Sequence, residues 1–307
     1  MKFIMVGSGA VGSYFGAKLQ QLGHEVVFIA RGKQLQALRK NGLTLQHDSE
    51  SITLTVTATD DLSAAGSADY VFITVKTWHV PEIIPQLTHF SDSHTRFLTL
   101  QNGVESAPMV ADAVGEERTF AGLVRGFFQL DAPGLVNHVG VQPTIIFGTL
   151  DGERTPQAVT LFDILAQTGI HAELSDDIEA ALWEKFLLVT ALSGVGAVTR
   201  ASIGEIRDYE PTYEMLKETM LEILHLGQGR GVNLNDGIPE KLMQFVSTFP
   251  YEATTSMQRD IMNGLPSELE AQTGAVVRLG REIAIPTPLN QMIYNSLILQ
   301  ERRARHS

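Results

Sequence analysis

The sequence predicts an α/β N-terminal domain with a Rossmann-type parallel sheet, followed by an all-α C-terminal domain. Three observations predict it. Short apolar, β-rich runs alternate with helical stretches through the first half. A glycine-rich hexapeptide stands at the first strand-to-helix turn. Beyond about residue 175 the strand signal stops and helical spacing takes over. Strand–helix alternation calls for parallel strands covered by helices. The expected boundaries are 1–175 for the sheet domain and 176–307 for the helical one.

The elements follow in chain order. Lys2–Val6, Glu25–Ile29, Tyr70–Val75 and Arg96–Leu100 read as buried strands, being short, apolar, β-branched or aromatic, and bounded by turns. Ser51–Thr57 alternates and reads as a more exposed strand. Thr119–Val124, Thr144–Gly148 and His171–Leu174 read as further strands, and Val11–Leu22 as the first helix. In the second half Asp176 and Asp177 mark a helix start. Ile178–Leu192, Pro211–Gly227, Ile238–Val246, Pro266–Arg281 and Pro288–Arg303 are the helix candidates. The end of the chain, Glu301–His306, reads as a solvated helix terminus with cations near its negative pole.

Composition narrows the function classes. Among 307 residues, 23 basic side chains face 35 acidic ones, for a net charge of −12. That balance argues against nucleic acid or an anionic membrane surface as partner. The chain has no cysteine, which excludes disulfides, zinc–thiolate sites, iron–sulfur clusters and cysteine nucleophiles and fits a cytoplasmic location. The histidines lack ligand spacing, so no metal site is expected. No apolar run is expected to approach the ~18–20 residues of a membrane span. A secretory signal is rejected because Gly7, Gly9, Gly12 and Gly16 fall where it would have its leucine-rich centre.

Gly7-Ser8-Gly9-Ala10-Val11-Gly12 lies between the strand Lys2–Val6 and the helix Val11–Leu22. In that context the pattern has a specific physics. Gly7 permits the tight turn, Gly9 admits a pyrophosphate close to the backbone, and Gly12 lets helix and strand pack closely. The phosphates then meet free N–H groups at the positive end of a helix. The P-loop alternative fails because Ser13, not lysine, follows Gly12. An NAD site expects Asp or Glu at the end of the second strand. This chain reads Phe28-Ile29-Ala30-Arg31, and a guanidinium there can pair with a 2′-phosphate. Lys76 follows directly on the strand Tyr70–Val75, either near cofactor phosphates or as an ordinary exposed lysine. Asn102-Gly103 closes the strand ending at Leu100, either as a common turn pair or as an amide reaching a nicotinamide or a substrate carbonyl.

In the helical half, Ile178, Ala181, Leu182, Lys185, Val189 and Leu192 share one helix face. Lys185 in that stripe either snorkels or lines an interdomain cleft and moves a proton. Ser256 reads as a helix N-cap. Glu268, two residues after Pro266, reads as an acid in a first helical turn.

Taken together, the GSGAVG loop, Arg31, VKTW around Lys76, QNG around Asn102, LWEKF around Lys185, and TTSMQRDI leading to Glu268 resemble the ketopantoate reductases (2-dehydropantoate 2-reductases) over essentially the whole chain. The resemblance implies an NADP-dependent oxidoreductase acting on a CH–OH group in pantothenate biosynthesis, reducing 2-dehydropantoate to pantoate with NADPH. It implies Lys185 as catalytic general acid, with Asn102 and Glu268 in the active site. It implies Ser256 as a substrate contact, and Gly7, Ser8, Gly9, Ala10, Val11, Gly12, Arg31, Lys76 and Asn102 at the cofactor. The family carries asparagine one and two helical turns beyond the lysine; here Val189 and Ser193 stand on that face and are expected to line the substrate pocket. The identity of the 2-oxo acid is thereby left open. A reductase of another 2-oxo acid, or a non-catalytic NADP(H)-binding sensor, are the competing readings; retention of Lys185 and Glu268 argues against the sensor. A small-molecule substrate, no nucleic acid, no membrane and a homodimer complete the expectations.

Overall fold

The computed structural model describes residues 1–47, 50–90 and 94–306. By its internal contacts the chain forms two compact units. One holds Met1–Gln101 and Glu105–Ile178, the other Asn102–Val104 and Glu179–Ser307.

The first unit is built on a 10-stranded sheet. Its elements in chain order are β1 (Lys2–Val6), α1 (Ala10–Gln21), β2 (Glu25–Ile29), α2 (Gly32–Asn41), β3 (Leu43–His47), β4 (Glu50–Leu54) and β5 (Thr57–Thr59). Then come β6 (Tyr70–Ile73), α3 (Val80–Leu87), β7 (Arg96–Thr99), α4 (Ser106–Val114), β8 (Thr119–Ala132), β9 (Leu135–Thr149), α5 (Pro156–Gln167) and β10 (His171–Leu174). The spatial order is β4-β3-β9-β8-β7-β6-β1-β2-β5, with β10 on β9. β1 pairs in parallel with β2 and β6, β6 with β7, and β7 with β8.

Period-two alternation sorts these strands onto two cores. Phe3 and Met5 join Phe15, Leu19, Leu161 and Leu165 on one face. Ile4 and Val6 join Val80, Ile83, Leu87 and Val110 on the other.

The sheet is mixed where a parallel one was expected. β3–β4 and β8–β9 are antiparallel. The β8–β9 hairpin is also far longer than the expected Thr119–Val124 and Thr144–Gly148, because the apolar residues of its outer half, among them Phe127, Phe128, Leu130, Val136 and Val139, are scattered between glycines and polar residues rather than set in a continuous run. Ser51–Thr57 is not one strand: β4 pairs with β3, whereas β5 pairs with β2. β3 escapes the sequence reading because its buried residues are only two, Leu43 and Leu45, alternating with polar ones.

The second unit comprises α6 (Ile178–Thr199), α7 (Ile203–Asp208), α8 (Glu210–Gly229), α9 (Ile238–Val246), α10 (Ser256–Met262), α11 (Thr273–Glu282) and α12 (Pro288–His306). α6 is its axis. Trp183, Phe186, Leu187, Ala191 and Val195 pack with Leu216, Met220, Ile223, Val276 and Ile293 from α8, α11 and α12. α6 runs past Leu192 through Gly194 and Gly196. At Gly196 a Cβ would stand 2.6 Å from Gln258 Oε1, so close packing against α10 explains the glycine. By length and composition α6 could cross a membrane, against the expectation that no run reaches that length. Since 61% of its apolar window is buried inside the protein, it has the character of a core helix.

Three helix-end readings are corrected. The N-cap of α10 is Thr255, not Ser256; Thr255 Oγ1 accepts from the Gln258 amide in a capping box. α11 begins at Thr273, not Pro266, so Glu268 lies in an irregular segment rather than a first helical turn. Glu301 is not solvated. It is 2% exposed and accepts from the Ser267 amide at 3.1 and 3.0 Å and the Ser267 hydroxyl at 2.6 Å. Arg305 neutralises it at 2.6 Å and also donates to the Ser267 carbonyl at 2.8 Å.

This buried pair generates a stability prediction. Glu301→Ala leaves Arg305 and the Ser267 N–H and hydroxyl without their acceptor, and should lower unfolding free energy by roughly 3 kcal/mol. Urea denaturation followed by circular dichroism measures it; an unchanged midpoint would remove Glu301 from the account of how this segment is held.

Candidate active site

The glycine loop in the first unit has the shape its spacing predicts. Gly7 adopts φ +106°, and an added Cβ would lie 2.7 Å from the Val75 amide nitrogen. Its N–H donates to the Ile29 carbonyl at 3.2 Å, and its carbonyl accepts from Thr74 Oγ1 at 2.5 Å. At Gly12 a Cβ would fall 2.0 Å from the Gly7 carbonyl oxygen and 2.3 Å from Thr74 Oγ1. Gly9 is different, since a Cβ there meets nothing within 4 Å. It is also the N-cap of α1, with no side-chain cap. The first-turn amides that follow, those of Ala10 and Val11 included, therefore lack intrahelical partners beside open space. Ser8 holds the loop rather than a ligand with its side chain: its hydroxyl donates to the Ile29 carbonyl at 3.0 Å. Its carbonyl accepts from Ser13 Oγ at 3.0 Å and Gln34 Nε2 at 2.8 Å.

The loop forms one end of a cavity of about 270 Å³, whose lining includes Gly7, Gly9, Arg31, Asp60, His79 and Glu82. Arg31, 65% exposed, has its Nη1 3.9 Å from Glu82 Oε2. Glu82 Oε2 also hydrogen-bonds His79 Nδ1 at 2.9 Å. Lys76 is not among the lining residues; its ammonium stands 5.7 Å from the centre of the Trp78 ring. The open Gly9, the uncapped helix start and the guanidinium in one cavity fit the phosphates of a dinucleotide. His79, Glu82, Asp60 and Gln34 were missed by the sequence reading. Their only signal was position: His79 and Glu82 begin the helix after β6, whose carboxyl end faces the same crevice as the glycine loop.

In the second unit, Asn102–Val104 packs with the helices. Gly103 adopts φ +94°, and a Cβ on it would stand 2.8 Å from the Ala271 carbonyl oxygen. This close approach seats the Asn102 side chain between two charged groups. Lys185 Nζ donates to Asn102 Oδ1 at 2.9 Å, and Asn102 Nδ2 donates to Glu268 Oε2 at 3.0 Å. The amide is thus oriented by its partners, with oxygen toward the ammonium and nitrogen toward the carboxylate. Glu268 is 4% exposed. It is held there by Ser267, which Glu301 anchors, and by its own carbonyl, which accepts from the Ala271 and Gln272 amides at 3.1 and 3.0 Å.

Lys185 shares a half-buried face of α6 with Ala181, Leu182 and Val189, as its spacing indicated. The core face of α6 is Trp183, Phe186, Leu187, Thr190 and Ala191, whereas Ala181, Leu182, Lys185, Leu188 and Val189 are half-buried. The lysine therefore stands on a half-open, apolar face. Such an ammonium can bind an oxyanion or release a proton to it. Val189 lies one turn on along that face, and Ser193, a further turn on, is 2% exposed. Ser256 is exposed at the start of α10. The structure thus joins Lys185, Asn102 and Glu268 directly, and gathers Gly7, Gly9 and Arg31 at one cavity.

Comparison with known proteins matches the chain along its length. The family model "Ketopantoate reductase PanE/ApbA" matches residues 3–152, and its C-terminal counterpart matches residues 177–301. A 2-dehydropantoate 2-reductase of Mesorhizobium japonicum is 28% identical over 94% of this chain and 94% of its own length. The crystal structure of a PanE/ApbA family ketopantoate reductase from Ralstonia eutropha JMP134 superposes with TM-score 0.91 at 29% identity, covering 100% of both chains. A ternary structure of D-mandelate dehydrogenase with NADH and anilino(oxo)acetate reaches TM-score 0.90 over 99% of this chain and 100% of that one at 21% identity, a likeness of fold. This chain belongs to the ketopantoate reductase PanE/ApbA family, an oxidoreductase family.

Proposed function

We propose that this protein reduces a 2-oxo acid to the 2-hydroxy acid with NADPH, with ketopantoate as the first substrate to test. The observation that carries the reading is the Lys185–Asn102–Glu268 chain of hydrogen bonds. Reduced nicotinamide, when bound, supplies a hydride to the ketone carbon. The residues of the chain do the rest. The first-turn amides after Gly9 bind the pyrophosphate, and Arg31 pairs with the 2′-phosphate. Lys76 stays a candidate for the phosphate end. The Lys185 ammonium binds the ketone oxygen, stabilises charge developing on it and gives it a proton. Asn102 fixes the ammonium through Oδ1, and Glu268 fixes the amide through Nδ2. Holding these groups in place before the substrate arrives lowers the reorganisation needed at reaction. Glu268 and Ser256 are the polar groups assigned to the far end of the substrate.

A second reading has its own observation. The face around Lys185 is Ala181, Leu182, Leu188 and Val189, none of which offers a side-chain hydrogen bond. A 2-oxo acid with an apolar substituent suits that face better than ketopantoate, whose hydroxyl must find a partner elsewhere. NADPH consumption against a panel of branched, hydroxylated and aromatic 2-oxo acids separates these readings. No consumption with any of them would leave a cofactor-binding protein without this activity.

Several variants test the assignments individually. Lys185→Ala should lower kcat by roughly 10²–10⁴, the scale of a lost acid–base group, with NADPH affinity nearly unchanged; a variant with undiminished kcat would make the lysine a packing residue. Arg31→Asp should weaken NADPH binding by about 2 kcal/mol or more, through loss of a charge-assisted contact and added repulsion, with a much smaller effect on NADH. Calorimetric titration of both cofactors measures this, and equal affinity of the unmutated protein for the two would end the NADPH assignment. Restoring an amide by Val189→Asn should raise kcat/KM for ketopantoate. A wild type already fast on ketopantoate and slowed by the asparagine would show that the substrate hydroxyl is recognised elsewhere.

A further inference from the structure

The cavity at the glycine loop carries two carboxylates that a simple phosphate site does not need. Asp60 lies 3.7 Å from Arg39. Glu82 turns the other way. Its Oε2 is 3.9 Å from Arg31 Nη1 and 2.9 Å from His79 Nδ1, and its side chain is 53% exposed. Arg31, His79, Glu82 and Asp60 are the charged or titratable groups lining the cavity among the described residues.

We infer that Glu82 is a cofactor-selecting residue: its carboxylate opposes a 2′-phosphate at Arg31 and accepts a hydrogen bond from the 2′-hydroxyl of an unphosphorylated ribose. The inference rests on the nicotinamide-dinucleotide reading of this cavity and goes beyond it. A phosphate monoester carries close to two negative charges. Placed on Arg31 it comes within a few ångströms of Glu82, where like charges repel appreciably even in a wet site. A ribose hydroxyl brings no charge and can donate to the same oxygen. In dinucleotide folds that acceptor ordinarily comes from the end of the second strand. Here that strand ends without an acid, and a carboxylate reaches the neighbourhood of Arg31 from the first turn of α3 instead. The Arg31–Glu82 pair is long and exposed, so it holds weakly and yields to a ligand. Arg31 and Glu82 together therefore set a ratio: the guanidinium raises NADPH affinity, and the carboxylate keeps NADH within reach.

The test is a set of dissociation constants for NADPH and NADH, measured by calorimetry or cofactor fluorescence on the full chain, the Glu82→Gln variant and the Arg31→Ala variant. Glu82→Gln keeps the side-chain shape and removes the charge, on an exposed position where folding is not at risk. It should tighten NADPH on the order of three- to tenfold and leave NADH unchanged or weaker, so that the ratio of the two constants shifts toward NADPH. The NADPH gain should shrink as salt is raised. Arg31→Ala should shift the ratio the opposite way. If Arg31→Ala shifts the ratio and Glu82→Gln does not, Glu82 serves only His79 and the inference is overturned. If neither shifts it, the 2′-phosphate reading of Arg31 falls and takes this inference with it.

Discussion

The amide of Asn102 is the interaction on which the site depends. It is a neutral group between an ammonium and a carboxylate, and only one orientation satisfies both: oxygen to Lys185, nitrogen to Glu268. An alcohol has a donor and an acceptor but both on one short oxygen, without the amide's separate reach to the two partners, and a carboxylate would face Glu268 with like charge. The backbone carries the constraint one residue further. Gly103 must adopt a positive φ and pass 2.8 Å (as a notional Cβ) from the Ala271 carbonyl, so any side chain there would lift the amide off its partners. The preceding residue is fixed independently: Gln101 Nε2 donates to the Ile73 and Val75 carbonyls at 2.7 and 3.1 Å. Asn102-Gly103 is therefore far more than a turn between a strand and a helix.

Charge in this molecule is arranged locally against its global sign. A chain with a net charge of −12 repels anionic ligands at long range. Cationic character is nonetheless placed at particular points of the surface. At the glycine loop that character comes from unpartnered amides and one guanidinium rather than from a lysine cluster. At Lys185 it comes from an ammonium whose neighbours along its helix face are apolar and whose bond to Asn102 Oδ1 is to a neutral group. The carboxylate of this site, Glu268, is one amide away from the ammonium rather than in contact with it. Contact would neutralise the cation, whereas the interposed amide leaves it able to serve an incoming oxygen.

What could be read from the sequence follows from what periodicity can carry. The buried strands β1, β2, β6 and β7 announce themselves because both their faces are apolar. The outer half of β8 and β3 do not: β3 buries only Leu43 and Leu45 between polar residues, too short an alternation to stand out, and the outer half of β8 is largely exposed. The glycine loop is readable because its spacing is short-range physics: a tight turn, an open approach and a close packing within six residues. α7 had a signal that went unused, the Ser202–Glu205 capping box. Whether the lysine's face is turned to the core or away from it was left open by the spacing. α6 is apolar nearly all round, so spacing alone does not say which side faces the core, and only its packing against α8, α11 and α12 decides it.

Glu268 shows why the rest of the site was beyond local reading. Its sequence neighbourhood suggested a helix start, where an acid is common and unremarkable. The segment instead stays irregular, with the Ser267 amide and hydroxyl held by Glu301. That carboxylate belongs to α12 and is itself neutralised by Arg305 one turn later. A charge that looked like part of a solvated terminus is thus the anchor that keeps a second, buried carboxylate where Asn102 can reach it. Residues 102, 185, 268 and 301 come from four separate parts of the chain. Each bond between them closes a long loop, whose ordering cost is offset by the packing of the α6–α8–α11–α12 core around it. The polar chain through Lys185, Asn102 and Glu268 therefore depends on that core.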